Sequence, residues 1–255
     1  MLVSIITPCH NSEKYIQETY TSINNQSYSN WEWIVINDNS DDTSLDLLLK
    51  ISNYDKRVII LNNSFNCGSA FSRNRGIEIA KGSFLTFIDS DDVWLPNFIE
   101  KVLYYMINND FDFVFTSYER RDETLDFNYG IFNVPKKVSF DDLLKSCPIS
   151  CLTACINLNK LPKLFMPNYK SRQDYALWLN YLKHTQYAYG LNESLAIYRI
   201  RRNSLSRSKF KSAIYQFLIY YEFLNFNFFK STFFLFHWFY KGLLKYKSLI
   251  KYNGN

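Results

Sequence analysis

Three carboxylates crowd into four positions of this chain: Asp89, Asp91 and Asp92, with Ser90 between the first two. They follow Ser83–Ile88, an apolar, β-branched and aromatic run bounded by Gly82, which reads as a buried strand. Period two along that strand puts Asp89 and Asp91 on one side and Ser90 on the other. Two like charges held that close repel unless a cation lies between them. A hard divalent ion with oxygen ligands, Mg²⁺ or Mn²⁺, meets the need. Such an ion keeps open positions for phosphate oxygens, so this turn indicates a nucleotide-phosphate site. The plainer alternative is a solvated loop in which Asp91 or Asp92 caps a helix starting near Val93.

The elements before the turn must bring it partners. Leu2–Thr7 reads as a strand stopped by Pro8, followed by a polar loop, Cys9–Glu13, and helical spacing from Tyr15 to Asn24. Trp31–Ile36 is a second strand ending in Asn37–Thr43, and Leu45–Ile51 a helix. Arg57–Leu61 is a third strand followed by Asn62–Gly68, and Ser69–Lys81 a helix with Ala70, Ile77 and Ala80 on its apolar side. Four short strands alternating with helices predict an α/β fold with a doubly wound, mainly parallel, Rossmann-like sheet. In such sheets ligands bind outside the carboxyl ends of the strands. The four loops therefore converge on one edge. There is no G-x-G-x-x-G and no P-loop, so neither phosphate cradle is on offer.

After Pro96 the pattern predicts a helix over Phe98–Asn108, a strand over Phe111–Thr116 and an irregular polar stretch over Asp122–Asn133. A helix over Ser139–Lys145 and an apolar element over Ile149–Leu158 follow. Arg172 to about His184 reads as an amphipathic helix and Gln186–Tyr198 as a returning strand. Five cysteines, with no C-x-x-C pair, read as small buried thiols rather than a zinc site or disulfides; Cys147, Cys151 and Cys155 share one face if their segment is helical.

Composition allows a large core: 47% of residues are hydrophobic and 18% aromatic, with only 7 Gly and 6 Pro, which excludes a disordered chain. The net charge of +5 is uneven. From Arg199 onward there are 11 Lys and Arg against one acid, Glu222, whereas residues 1–198 carry 18 basic and 23 acidic residues. A basic, aromatic end on an acidic body predicts an anionic membrane surface, not nucleic acid, as the partner of that end. The first residues form a strand rather than a basic-then-apolar leader, which points to the cell interior.

Four runs in order carry a resemblance: P-C-H-N-S-E-K-Y-I (8–16), N-D-N-S-D-D-T (37–43), N-C-G-S-A-F-S-R-N-R-G-I (66–77) and A-K-G-S-F-L-T-F-I-D-S-D-D-V-W-L-P (80–96). They resemble the inverting family-2 glycosyltransferases of GT-A fold, bacterial surface-polysaccharide type. The likeness resumes at R-Q-D-Y-A-L-W-L (172–179) and at Tyr198-Arg199 through Ser204-Leu205-Ser206. It implies a catalytic region over 1–206, with 1–96 binding nucleotide and 97–206 binding acceptor. Thr7, Pro8 and His10 would wall the base and ribose, Asp38 would accept the N3–H of uracil, and Arg73 would face the nucleotide. Asp91 would ligate Mn²⁺ or Mg²⁺, Asp89 would touch ribose or metal-bound water, and Asp174 would be the catalytic base. The donor implied is a UDP-sugar and the acceptor a lipid-linked saccharide of a polysaccharide or O-antigen pathway. His10, Asn37 and Gln173 depart from the residues common in the family, and Gln173 removes an alternative base. Arg199, Arg201 and Arg202 either face the diphosphate or an anionic acceptor, or form a solvated basic loop.

Two other readings compete. A phosphotransferase of the haloacid-dehalogenase type would use Asp89 as nucleophile and Phe115-Thr116-Ser117 as its next motif, but leaves the strand–helix units before residue 82 unexplained. A non-catalytic nucleotide-sugar-binding membrane protein would have no reason to keep Asp38, Asp91 and Asp174. Residues 207–255 hold 17 of the 47 aromatics. Phe217, Tyr221, Leu224 and Phe228 keep helical spacing, as do Leu235, Phe236 and Phe239, flanked by Lys241, Lys245, Lys247 and Lys251. This predicts amphipathic helices lying in an anionic headgroup region on the cytoplasmic face of the inner membrane, too short in apolar length to span it. The alternative is a helical hairpin packed on the catalytic domain or at a homodimer interface.

Overall fold

The computed structural model describes residues 1–201 and 209–252. Its first half runs β1 (Val3–Cys9), α1 (Ile16–Asn24), β2 (Trp31–Asn37), α2 (Ser44–Tyr54), β3 (Val58–Asn62), α3 (Ser69–Ile79) and β4 (Phe84–Phe87). Then come β5 (Val93–Trp94), α4 (Phe98–Asn108), β6 (Phe113–Arg121), β7 (Asn128–Phe132), β8 (Lys137–Val138) and α5 (Phe140–Lys145). The rest is β9 (Cys155–Asn157), α6 (Gln173–Tyr181), β10 (Ala188–Arg199), α7 (Lys209–Leu218) and α8 (Phe228–Tyr252).

One sheet runs in the order β3-β2-β1-β4-β9-β6-β10-β5, with β7 beside β6 and β8 beside β10. β1 is parallel to β2 and β4, and β2 to β3. β9 is antiparallel to both β4 and β6, and β10 is parallel to β6. Helices cover both faces, so β1 and β2 are almost wholly buried, which explains their mostly apolar runs. Period two divides them between two cores: Ile6, Ile34 and Ile36 pack with Ala70 and Ile77 of α3, while Ile5, Trp33 and Val35 pack with Ile16, Ile23 and Leu48 of α1 and α2.

From β1 the chain steps outward to β2 and β3, then α3 carries it back to β4 on β1's other side. That reversal opens a crevice at the strands' carboxyl ends. α3 lies close over β1 because residue 76 is glycine; a Cβ there would stand 2.7 Å from Ile6 Cγ2. Its first turn is thereby held at the crevice.

Several expected elements differ. The strand before the acid turn ends at Phe87, and Val93 opens β5 rather than a helix, the next helix starting at Phe98. Asp91 and Asp92 are therefore not helix caps. The polar stretch Asp122–Asn133 contains β7, hidden in the sequence because four of its five residues are exposed and no alternation marks it. Cys147, Cys151 and Cys155 do not share a helix: Cys151 starts a one-turn 3₁₀ helix and Cys155 starts β9. Pro148, which has no N–H to give, breaks the helical spacing between them. All five thiols are free, with Cys9, Cys151 and Cys155 buried.

The spacing Phe217–Phe228 is not one helix either. α7 passes into a π-helical turn (Ile219–Phe223), and the chain reverses through Asn225 at φ 53° before α8. Ile219 and Tyr220 are fully buried against the domain. On α8, Ser231 is buried, and Phe234 and Leu235 are partly buried against the main core. Phe229, Phe233, Phe236 and Tyr240 form an exposed stripe on the same helix. Arg202 and the Ser204–Ser206 motif lie outside the described residues, as do the side chains of Lys245, Lys247 and Lys251.

Candidate active site

The crevice is a cavity of about 570 Å³. Pro8, His10, Asp38, Arg73, Asp89, Asp91 and Asp174 all line it. Thr7 does not: it is fully buried, and its hydroxyl accepts from Trp33 Nε1 at 2.8 Å. Strand alternation sends Thr7 to the core where Pro8 faces the opening.

At the end of β2, Asp38 is 3% exposed yet meets four donors' worth of capacity with three donors. Oδ1 accepts from Asn63 Nδ2 (2.6 Å) and the Cys67 N–H (2.8 Å), and Oδ2 from the Gly68 N–H (2.8 Å). One lone pair on Oδ2 is left. Gly68 has φ 85° and ψ 163°, a region closed to residues with a Cβ, and this conformation turns its N–H onto the carboxylate. The His10 ring stands alongside. Its Nδ1 lies 2.9 Å from the Asp38 carbonyl oxygen, which only accepts, so Nδ1 carries the proton and Nε2 accepts from Asn66 at 3.1 Å.

The acid turn after β4 is a different environment. The Asp92 N–H closes it on the Asp89 carbonyl at 3.1 Å, so a β-turn, not strand alternation, groups the carboxylates. Ser90, expected on the opposite side, lines the same cavity, its hydroxyl 2.7 Å from that of Ser12. Asp89 pairs with Arg73, which is 4% exposed. Nε and Nη1 of Arg73 are buried without hydrogen-bond partners. Asp91 makes a 2.6 Å ion pair with Arg201 Nε that is not an aligned hydrogen bond. Burial raises the Asp91 carboxyl above the usual range, the Asp89 charge adding to it. Asp92, wholly enclosed, is raised well above it by burial and then by Asp91 and Asp89.

Arg199 lines the cavity, yet all three of its side-chain nitrogens are engaged within the protein. It is 4% exposed and fastens the turn: its N–H reaches Asp92 Oδ1 (2.8 Å), Nε the Asp91 carbonyl (2.6 Å) and Nη1 the Glu123 carbonyl (2.5 Å), while Nη2 pairs with Glu18. Its alternation along β10 gives no hint of this, since the partners come from three distant segments.

A hard dication fits this donor set. Among the described residues no three His, Cys, Asp or Glu form a metal cage. One or two carboxylates completed by substrate phosphates are what Mg²⁺-type sites use. Asp89 and Asp91 each keep one oxygen outside their arginine contacts, and their crowding is the kind a cation relieves.

Asp174 enters from across the cavity, in the first turn of α6. No side chain caps that helix, so Asp174 is not a cap. Its carboxylate accepts no hydrogen bond among the described residues and is close enough to the Arg73 cation to interact with it electrostatically. Before it stands Arg172 at φ 64°, a left-handed conformation that costs an L-residue roughly 1–2 kcal/mol. Gln173 is buried, donating to Ser69 Oγ at 2.8 Å with Oε1 unpartnered, which ties α6 to the first turn of α3. Sequence reasoning missed Asn63 and Ser69 as members of this constellation. Only the placement of Asn63 and Ser69 at a strand's carboxyl end, beside the expected site loops, signalled them.

A crevice at the carboxyl ends of parallel strands that gathers an acid turn, an aspartate held by three donors and a further carboxylate is the kind of site nucleotide-sugar transferases use. The family model "Glycosyl transferase family 2" matches residues 4–161, and the chain belongs to that family. It is 37% identical over 231 residues to TuaG of Bacillus subtilis (strain 168), a protein named for teichuronic acid biosynthesis as a glycosyltransferase, covering 91% of this chain and 92% of the relative. It is 35% identical over 213 residues to the Escherichia coli UDP-Glc:alpha-D-GlcNAc-diphosphoundecaprenol beta-1,3-glucosyltransferase WfgD, covering 82% of this chain and 81% of the relative. Among solved structures, S. aureus TarS 1-349 in complex with UDP-GlcNAc superposes with a TM-score of 0.71 at 20% identity, over 94% of this chain and 72% of that one. The fold is thus GT-A and the protein a glycosyltransferase. The phosphotransferase reading is overturned: Thr116 and Ser117 are buried away from the cavity, with the Thr116 hydroxyl on the Ser117 carbonyl and the Ser117 hydroxyl on Asn192.

Proposed function

We propose that the protein is an inverting, divalent-metal-dependent glycosyltransferase that moves a sugar from a UDP-sugar to a hydroxyl of a lipid-linked saccharide. One observation carries this reading: a single cavity is lined by the acid turn, by Asp38, and by Asp174, whose carboxylate accepts no hydrogen bond among the described residues. The remaining lone pair of Asp38 accepts the N3–H of uracil, a donor that cytosine lacks. Pro8 and His10 flank the base and ribose. Arg73, on the cavity wall and paired with Asp89, brings a cation to the side of the donor phosphates. Asp91 and Asp89 would hold Mn²⁺ or Mg²⁺, whose chemistry when bound is to neutralise the departing diphosphate. The acceptor oxygen attacks the anomeric carbon as its bond to phosphate breaks. Asp174 takes the hydroxyl proton, and attack from the opposite face inverts the centre. In this division residues 1–96 serve the nucleotide and 97–206 the acceptor. The named substrates of WfgD support a UDP-linked donor and a diphospho-lipid acceptor.

Residues 207–255 serve, on this reading, as the attachment to an anionic membrane on its cytoplasmic face. Among the described residues no helix is long and apolar enough to cross a membrane. Support comes from α8, which is apolar on both sides: one stripe docks on the domain while Phe229, Phe233, Phe236 and Tyr240 stay open.

The test is a panel of nucleotide sugars, scored for Mn²⁺-dependent release of the nucleoside diphosphate with a polyprenyl-diphosphate GlcNAc acceptor. Asp174→Asn should keep UDP binding and cut transfer by about 10²–10⁴. Transfer persisting in that variant removes Asp174 from the base role. Flotation with anionic vesicles tests the attachment; a dimer that ignores vesicles at low salt would assign the open stripe to a second copy instead.

A further inference from the structure

The direction of α6, and with it the aim of Asp174, is decided at Arg172. Helix N-caps ordinarily take an extended backbone and place a side-chain oxygen on the first turn. Arg172 does neither: it is left-handed, and α6 has no side-chain cap. Its guanidinium stands instead 5.2 Å from the centre of the Tyr175 ring and 5.0 Å from that of Trp238, on α8. Nε is buried with no hydrogen-bond partner, so ring faces balance that end of the charge. Tyr175 is in turn fixed from the same direction. Its hydroxyl lies 3.2 Å from the Leu143 carbonyl and 3.3 Å from the hydroxyl of Tyr220, which donates to the Leu144 carbonyl. Tyr175 and Tyr220 are both buried. Thus two residues from the C-terminal helical region, Tyr220 and Trp238, close on the two sides of the turn that launches the base.

We infer that the C-terminal helical pair is a positioning element for catalysis: Trp238 and Tyr220 clamp the strained Arg172 turn and so hold the Asp174 carboxylate toward the cavity. The inference rests on the reading of Asp174 as the base. Neither residue lines the cavity or touches the nucleotide corner. Loosening the clamp therefore lowers turnover without weakening donor binding, which separates it from general packing.

The full-length protein with Trp238→Ala, Trp238→Phe and Asp174→Asn tests this, using UDP with Mn²⁺ for binding and UDP-glucose with GlcNAc-diphosphoundecaprenol for turnover. Trp238→Ala should speed amide exchange at residues 173–176 and cut kcat about tenfold, with UDP Kd and donor KM within about twofold of wild type. Trp238→Phe, which keeps a ring face, should restore both. Wild-type exchange at 173–176 in Trp238→Ala overturns the clamp. So does a loss of UDP affinity and melting temperature that phenylalanine does not rescue. If Asp174→Asn turns over normally, it is the assignment of the base that falls. If Asp174→Asn is dead while Trp238→Ala exchanges and turns over as wild type, only the clamp falls.

Discussion

Asp38 and Asp91 follow β2 and β4, the two strands that flank β1, yet one is finished by the protein and the other is not. Around Asp38 three donors from the single loop between β3 and α3 are in place, and a single lone pair remains for a ligand. Around Asp91 the protein supplies repulsion: Asp89 and Asp92 lie in the same turn, and burial pushes its carboxyl up. The first corner is a rigid receptor for one neutral N–H. The second is a charge imbalance that a cation resolves. On the proposed reading, one edge of one sheet would recognise the base by preorganised hydrogen bonds and the diphosphate by electrostatic need.

Breaking the second corner should have the larger effect on activity. Asp91→Ala removes the proposed direct ligand while Arg199, bonded to the Asp91 carbonyl and to Asp92, keeps the turn closed. Turnover in Mn²⁺ should fall by about 10³, several kcal/mol of leaving-group stabilisation, with circular dichroism unchanged. Wild-type rates in this variant would remove metal from the mechanism.

The first corner should fail through stability. Asp38→Ala strands the Asn63 amide and two backbone N–H groups, at about 1–3 kcal/mol for each that stays buried and dry. Denaturant unfolding should show a loss of roughly 3 kcal/mol, together with a large drop in UDP affinity. Gly68→Ala sharpens the point. A Cβ there meets nothing within 4 Å, so its cost is backbone strain alone, about 1–3 kcal/mol. It should weaken UDP binding in proportion, because the Gly68 N–H would leave Asp38. Stable protein with normal UDP binding would show that Asp38 does not need that donor.

The two corners were also unequally legible. Strand alternation and apolar runs located β1 to β4, and topology placed Pro8, His10, Asp38, Asp89 and Asp91 at one edge; Arg73 and Asp174 were legible only through the family resemblance, and all seven line one cavity. What sequence periodicity cannot see is a bond between segments far apart in the chain. Arg199 looked like one of three basic loop residues, but its partners are Glu18, Asp91, Asp92 and Glu123. Thr7 looked like part of the nucleotide wall, but Trp33 claims its hydroxyl. β7 escaped because an exposed strand leaves no hydrophobic signature, and the segment Cys147–Cys155 because four-residue spacing holds without a helix once Pro148 interrupts it.

The smallest effect is the most direct reading of the imbalance at the second corner. An acid whose folded pKa is raised binds more protons folded than unfolded, so it lowers stability at high pH. That penalty is relieved as pH falls through the raised folded pKa toward the unfolded value near ~4. Asp91 is such a group, held up first by burial and then by Asp89. Asp91→Asn, neutral at every pH, should therefore melt a few degrees above wild type at pH 8 without divalent ions, and the gap should narrow at pH 5.5. Mn²⁺ should close the gap at pH 8 by stabilising wild type, and do less for the variant. Thermal melts at the two pH values, with and without Mn²⁺, check the sign. A gap that is independent of pH, or one that widens in acid, would mean the turn carries no such penalty. A gap that narrows would mark Asp91 as a residue that costs the fold stability and is kept because turnover requires it.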